Sequence, residues 1–117
     1  MDIEDAVLAL AALSQSTRLE TFRLLVRHEP GGLPAGEIAR RLAIPQNTMS
    51  AHLAILARAG LAVGARRSRL IVYRADLARA RALIGFLFKD CCGGSAELCA
   101  PLLADLVPCC SQPASAS

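Results

Sequence analysis

The chain has 117 residues, a length that fits one domain with a modest hydrophobic core. It is 54% hydrophobic but only 3% aromatic, so alanine and the aliphatic residues must supply the packing, as in closely packed helices. No apolar run reaches the ~20 residues that cross a bilayer, and the first such run follows acidic residues, unlike a signal peptide. These features predict a cytoplasmic protein that spans no membrane.

The first part of the chain predicts two helices. Apolar residues at helical spacing predict a first helix over Ile3 to Leu13, with this stripe: Val7, Leu8, Leu10, Ala11. Thr17 and Glu20 have the spacing of a capping box and predict the start of a second helix. The Pro30-Gly31-Gly32 segment predicts its end.

Two further helices are predicted close together, over Glu37–Leu42 and Gln46–Ala59. The segment Ala43-Ile44-Pro45 forms the turn between them, with proline in a favourable place at the opening of a helix. Gly60 is suited to a left-handed terminator of the second helix. Two helices joined by a tight turn are typical of a helix-turn-helix.

After Gly60 the residue pattern changes to that of a β-hairpin and then back to a helix. Strand-forming residues at 61–63 and 70–73 flank Arg66-Arg67-Ser68-Arg69, so the hairpin tip is cationic. Asp76 is a candidate cap for a final helix whose apolar side carries Leu77, Ala80, Leu83, Ile84 and Leu87. The order of elements predicts a mainly α fold with a small β-hairpin, a winged helix-turn-helix.

Charge is concentrated in one stretch of the chain. Seven arginines and a single acid, Asp76, lie between Arg58 and Arg81, a pattern typical of a phosphate-binding face as well as of a solvated surface. The polar residues outside the apolar stripe of the second predicted turn helix suit base edges and phosphates. The candidate DNA-binding residues are therefore Gln46, Asn47, Thr48, Ser50, His52, Arg66, Arg67 and Arg69.

All five cysteines lie after residue 90, whereas cysteines used as small core residues would be scattered. A reducing cytoplasm argues against disulfides. The neighbours Cys91 and Cys92 have Cα atoms ~3.8 Å apart, less than the ~4.4–6.8 Å of an unstrained disulfide, so the pair favours chelation. Together with Cys99 they form a candidate site for a thiophilic ion, while Cys109 and Cys110 are spectators, an auxiliary site or a handover pair.

Several separated motifs resemble the ArsR/SmtB repressor family: Leu13-Ser14-Gln15-Ser16-Thr17-Arg18-Leu19, Gly36-Glu37-Ile38-Ala39, Ser50-Ala51-His52-Leu53-Ala54-Ile55-Leu56 and Ala59-Gly60-Leu61. The resemblance implies a winged-helix homodimer whose first and last helices form most of the interface. It also implies a repressor that leaves its operator when inducer binds, with Gln46, Thr48, Ser50 and Ala51 nearest the bases. The expected divisions are 1–90 for DNA binding and dimerisation, 91–107 for metalloid binding, and 108–117 as a disordered tail.

Members of this family differ in where their sensor ligands lie. One type carries cysteines in the stretch that corresponds to 34–42, which has none here. Another uses histidines of the last helix, but the chain's only two, His28 and His52, lie upstream. What is left resembles members that sense trivalent arsenic through a C-terminal thiol triad, here Cys91, Cys92 and Cys99. As(III) is therefore the expected inducer, with no organic cofactor.

Other readings stay open. Sb(III), Cd(II) or Pb(II), or thiol oxidation are alternative signals, and a thiol metallochaperone is an alternative of another class. A thiol enzyme is disfavoured because the chain has no Cys-x-x-Cys pair, no phosphate-cradling glycine loop and no histidine near the thiols. The expected protein is not an enzyme.

Overall fold

The computed structural model describes residues 1–88, which form five α-helices and a three-stranded antiparallel sheet in the order β1-β3-β2. The elements are α1 (Ile3–Leu13), α2 (Ser16–Arg27), β1 (Leu33–Pro34), α3 (Ala35–Leu42), α4 (Gln46–Arg58), β2 (Ala62–Arg67), β3 (Leu70–Ala75) and α5 (Leu77–Phe88). The mainly α prediction with a winged helix-turn-helix is confirmed.

Helix α1 has the predicted bounds, but its predicted apolar stripe lies on the solvent side. Asp2 caps the helix through its side chain, which accepts from the Asp5 N–H at 2.8 Å. The buried residues are Ala6, Ala9 and Ala12, whereas the larger Val7, Leu8 and Leu10 are exposed. Alanine allows a close approach to the neighbouring α2 and α4, so the smaller residues face inward.

Helix α2 is capped differently from the prediction. It begins at Ser16, and the Gln15 side chain accepts from the Arg18 N–H at 2.9 Å. The prediction of a Thr17–Glu20 capping box was wrong, because both residues lie inside the helix. On the inner side, Leu24 and Leu25 are buried, and the buried Thr21 hydroxyl donates to the Thr17 carbonyl at 2.7 Å.

Helices α3 and α4 form the predicted helix-turn-helix. Helix α3 begins at Ala35, two residues earlier than expected, and Ala43 takes a left-handed conformation with φ of 57°. Helix α4 buries Met49, Leu53 and Leu56 against the core, while Ile55 is half-buried. Gly60 also has the predicted left-handed conformation, with φ of 81°.

The wing, defined as β2, the turn at residues 68–69 and β3, matches the predicted hairpin with longer strands. Ala62 pairs with Ala75 at its base and Arg67 with Leu70 near its tip. Strand β1, in which Leu33 pairs with Tyr73, was not predicted from the sequence. This strand has only two residues and one is a proline, so it carries no alternating pattern. It covers the outer edge of β3.

Helix α5 follows the wing directly. The Asp76 side chain accepts from the Arg79 N–H at 3.0 Å, which confirms the predicted cap. Within the described part of α5, Leu83 is the only buried residue, and the predicted apolar residues Leu77 and Ile84 are exposed. The predictions for the five cysteines, for a short helix at 96–106 and for the tail at 108–117 fall outside the described residues.

Candidate nucleic-acid interface

Helix α4 presents polar residues to solvent in its first turns. Gln46, Asn47, Thr48 and Ser50 are all exposed, in contrast with the buried Met49. The residue before the helix is Pro45, which has no side-chain cap, and Asn47 Oδ1 accepts from the Thr48 N–H at 2.8 Å. The N–H groups that begin the helix point away from the helix body, as anion-binding helix starts do.

A cleft of about 240 Å³ separates α3 and α4 from the wing. The structure brings three predicted DNA-binding residues together on its walls: Gln46 and Ser50 from α4 and Arg69 from the wing turn. Gly36 lies on the α3 side of the cleft, where an added Cβ would make an ordinary van der Waals contact with the Gln46 side chain at 3.7 Å. The cleft thus places hydrogen-bonding amide and hydroxyl groups beside a guanidinium.

The wing arginines do not all face this cleft. Arg66, Arg67 and Arg69 are exposed, and none of the three pairs with a carboxylate among residues 1–88. Arg67 lines a second cleft, of about 460 Å³, together with Glu29 and Arg74. Arg69 and Arg67 therefore lie on different sides of the wing, a separation that the linear sequence does not show.

Two other arginines of the basic stretch, Arg74 and Arg79, have partners within the protein. Arg74 pairs with Glu29 at 2.8 Å, and Glu29 also accepts from the Ala75 N–H at 3.1 Å. The hydrogen bond with Glu29 raises the pKa of Arg74. Arg79 lies 3.6 Å from Asp5 and donates to the Ala59 carbonyl at 3.3 Å. Charge counting along the sequence could not separate these arginines from the unpaired ones of the wing.

Helix α3 carries a compact ion cluster on its outer side. Glu37 pairs with both Arg40 and Arg41, and Arg41 lies 3.1 Å from His28 Nε2. Hydrogen bonds from Arg40 and then Arg41 lower the pKa of Glu37 to about 2 from its ordinary 4.5. Glu37 therefore stays ionised throughout the physiological pH range.

His52 differs from the other predicted DNA-binding residues of α4 because it is half-buried. Its Nδ1 lies 3.4 Å from Nη1 of Arg18, and Arg18 Nε donates to the Ala12 carbonyl at 2.7 Å. Arg18 lies in one of the motifs that carry the family resemblance, but the sequence pattern indicated no role for it. The two residues are 34 positions apart, so no local pattern indicated their contact.

Residues 1–88 contain no group of three or more His, Cys, Asp or Glu side chains that could hold a metal ion. No helix in this part of the chain is long and apolar enough to cross a membrane. The predicted thiol ligands Cys91, Cys92, Cys99, Cys109 and Cys110 lie outside the described residues.

Comparison with known proteins is consistent with this geometry. A helix-turn-helix domain family matches residues 13–64. The transcriptional activator HlyU of Vibrio cholerae is 31% identical over 87 residues, which cover 74% of this chain and 78% of HlyU. The solved HlyU structure has 30% identity and a TM-score of 0.61, and the match covers 76% of this chain and 96% of HlyU.

Two further solved structures are similar. A homodimeric winged helix-turn-helix domain from Mycobacterium bovis, a possible ArsR-family regulator, has 26% identity and a TM-score of 0.60, covering 75% of this chain and 82% of that one. A possible transcriptional regulator for arsenical resistance has 29% identity and a TM-score of 0.57, covering 83% and 94%. The fold and its relatives define a DNA-binding transcription regulator. The chain belongs to the ArsR/SmtB family of winged-helix regulators.

Proposed function

We propose that this regulator is a homodimeric repressor that binds operator DNA and is released when As(III) binds a thiol triad formed by Cys91, Cys92 and Cys99. One observation carries the proposal. The winged helix of residues 1–88 has exposed polar residues on α4 but no cysteine, and all five cysteines of the chain follow in sequence, between residues 91 and 110. DNA binding and sensing are thereby assigned to consecutive parts of one chain.

The DNA contacts of the proposal are based on α4 and the wing. The exposed Gln46, Asn47, Thr48 and Ser50 would enter a major groove, where amide and hydroxyl groups suit base edges and phosphates. Arg66 and Arg69 would contact the phosphate backbone, where each neutralised phosphate releases counterions. Arg69 supports this assignment best because it lies at the α4 cleft.

Homodimerisation is supported by the outer surface of α1. Four residues of this helix, Ile3, Val7, Leu8 and Ala11, are exposed around an apolar depression of about 360 Å³. Leu77 and Ile84 of α5 are exposed as well. A solvated aliphatic surface of this kind gains free energy when it is covered, and the Mycobacterium bovis relative is a homodimer of the same fold.

The inducer assignment is based on the chemistry of the donor atoms. Three soft thiolates suit As(III), which binds three sulfurs in a pyramid and holds a lone pair in the fourth position. Cys91 follows α5 by only three residues, so closing a loop around one ion would act on the end of that helix. In a dimer held by α1 and α5, a shift there changes the spacing of the two α4 helices, which must match half-sites about one helical turn apart.

Operator release by As(III) tests this proposal directly. We expect arsenite to lower the operator affinity of the native protein by about 5–150-fold, the range of a coupling of ~1–3 kcal/mol. Cys91→Ser, Cys92→Ser and Cys99→Ser should each abolish this response. Cys109→Ser and Cys110→Ser are the matched controls and should retain it. Normal release by all three triad variants would contradict the thiol assignment.

Measurements of bound metal and a second set of variants distinguish the alternative signals. Sb(III), Cd(II) and Pb(II) would each give bound metal in a stoichiometric assay, whereas an oxidant would release DNA with no metal bound. Thiol oxidation is the second candidate because HlyU has also been solved in a form described as reduced. A thiol metallochaperone would bind metal, and its metal binding would be unchanged by charge reversal of Arg66, Arg67 and Arg69.

The direction of regulation needs its own measurement, since HlyU is named an activator. A promoter reporter should be silent without arsenite and active with it. Activation in the absence of arsenite would contradict repression while leaving DNA binding intact.

A further inference from the structure

The guanidinium of Arg18 lies between the end of α1 and the recognition helix α4. Its Nε donates to the Ala12 carbonyl at 2.7 Å, and its Nη1 lies 3.4 Å from His52 Nδ1. Both Arg18 and His52 are half-buried. One side chain from α2 therefore contacts two other helices.

The α1 side of this contact is well anchored. Ala12 lies in the last turn of α1, where backbone carbonyls have no partner within the helix and a cation is favourable. The Arg18 N–H is itself held by Gln15 Oε1 at 2.9 Å, so the base of the arginine side chain is fixed in place. The guanidinium is thus tied to α1 and α2 before it reaches α4.

On the α4 side, the chemistry of the two groups determines which atom donates the hydrogen bond and which accepts it. A guanidinium has only hydrogen-bond donors, so a hydrogen bond at this contact requires the His52 tautomer in which Nδ1 accepts and Nε2 carries the proton. The exposed Gln46 and Ser50 have no comparable contact with α2. His52 is therefore connected to the protein interior, whereas these neighbours are directed at solvent.

We infer that His52 is a positioning residue that sets α4 relative to the end of α1 through Arg18, and is not itself a DNA contact. The inference rests on the proposed function, because it concerns the helix proposed to read the operator. Since α1 also carries the surface proposed for dimerisation, Arg18 and His52 connect the dimer helix to the recognition helix. The contact would keep the two α4 helices of a dimer at one spacing.

A matched pair of substitutions tests which ring nitrogen matters. His52→Asn places an amide oxygen near the position of Nδ1, within reach of Arg18, whereas His52→Gln places its amide near the position of Nε2. We expect operator affinity within about twofold of native for Asn and about tenfold weaker for Gln, on the order of one hydrogen bond to a charged group. Glutamine is the better helix former, so helix propensity opposes this expected order.

Three results would overturn the inference: the reverse order, which a DNA contact through Nε2 predicts; an equal loss in both variants; or no loss in either. A double-mutant cycle adds a second criterion. If Arg18 and His52 act as one unit, Arg18→Ala combined with His52→Ala should bind no more weakly than the worse single variant. Fully additive losses would mean that the two residues act separately.

The dependence of affinity on salt separates this inference from the proposed function. A positioning residue touches no phosphate, so the His52 variants should keep the native slope of log affinity against log salt, whereas Arg69→Ala should lower it. A reduced slope in His52→Gln would make His52 a DNA contact. If the native protein shows no salt-dependent binding to operator duplex, the proposed function itself fails. Circular dichroism and thermal unfolding establish that each variant is folded.

Discussion

Helices α1 and α4 are similar in length but bury opposite kinds of residue. Helix α4 turns its large apolar residues inward, with Met49, Leu53 and Leu56 fully buried, and presents polar residues to solvent. Helix α1 buries only alanines and exposes Val7, Leu8 and Leu10. Residues 1–88 therefore complete the packing of α4 but not that of α1.

The difference indicates where each helix makes its functional contacts. Covering a leucine side chain completely is worth about 1.5–3 kcal/mol, so several exposed aliphatic residues on α1 represent a substantial unused gain. The exposed polar residues of α4 offer hydrogen bonds instead. A protein partner suits α1, and a polar, charged partner such as duplex DNA suits α4.

The largest effect is expected from placing a charge on the α1 surface. Leu8→Glu buries a carboxylate in each half of a two-fold interface, so we expect a monomer in analytical ultracentrifugation and operator affinity about 100-fold lower. Leu19→Glu is the matched control, because Leu19 of α2 is 44% exposed and Leu8 is 43% exposed. Dimers of Leu8→Glu, or equal effects of the two changes, would refute the assignment of α1 to the interface.

The next largest effect is expected from the wing arginine that lies beside α4. Arg69→Ala removes a cation from the α4 cleft, so operator affinity should fall about tenfold and the salt slope should fall by ~0.9 per lost phosphate contact. Arg67→Ala makes the same charge change on the other side of the wing and should have a smaller effect on both quantities. Equal losses would show that the wing contacts DNA with both sides.

A smaller effect is expected at Gly60, which lies between α4 and the first strand of the wing. Gly60 has φ of 81°, and an added Cβ would lie 2.7 Å from Arg79 Nε, the group that donates to Ala59. Gly60→Ala should therefore lower the free energy of unfolding by about 1–2 kcal/mol.

Gly85→Ala is the control for this change. Gly85 lies in α5, and a Cβ there would meet nothing within 4 Å, so alanine should stabilise the helix by about 0.5–1 kcal/mol. Chemical denaturation of both variants measures the two changes. A neutral Gly60→Ala would mean that the left-handed conformation is not required there.

The smallest effect is expected in the pH dependence of stability, through Glu37 of α3. The pKa of Glu37 is lowered to about 2 in the folded protein, so its contribution to stability is present above the ordinary value of 4.5 and is lost as the pH falls towards 2. The stability difference between the native protein and Glu37→Gln should therefore shrink between about pH 5 and pH 2. A constant difference over that interval would contradict the role of the Arg40 and Arg41 hydrogen bonds.

Features set by local sequence could be predicted, whereas features set by distant contacts could not. The bounds of α1, the turn before α4, the left-handed Gly60 and the Asp76 cap all follow from residues close together in the chain. The exposed polar residues of α4 followed from its amphipathic pattern.

The sequence showed the apolar stripe of α1 but not that alanines form its inner side, because the close approach of α2 and α4 that requires the smaller residue is a contact between separate helices. The β1 strand depends on pairing with Tyr73, 40 positions away from Leu33, and the Arg18–His52 contact spans 34 positions. The opposite placement of Arg67 and Arg69 depends on the register of the wing. No pattern within a short window of sequence contains this information.

The alanines on the inner side of α1 also determine how this helix responds to force. Alanine has no side-chain rotamers, so the contact at Ala6, Ala9 and Ala12 has no alternative arrangement that could absorb a displacement. We therefore expect α1 to move as one rigid helix relative to α2 and α4, so that a displacement at its outer surface is transmitted to these helices with little loss.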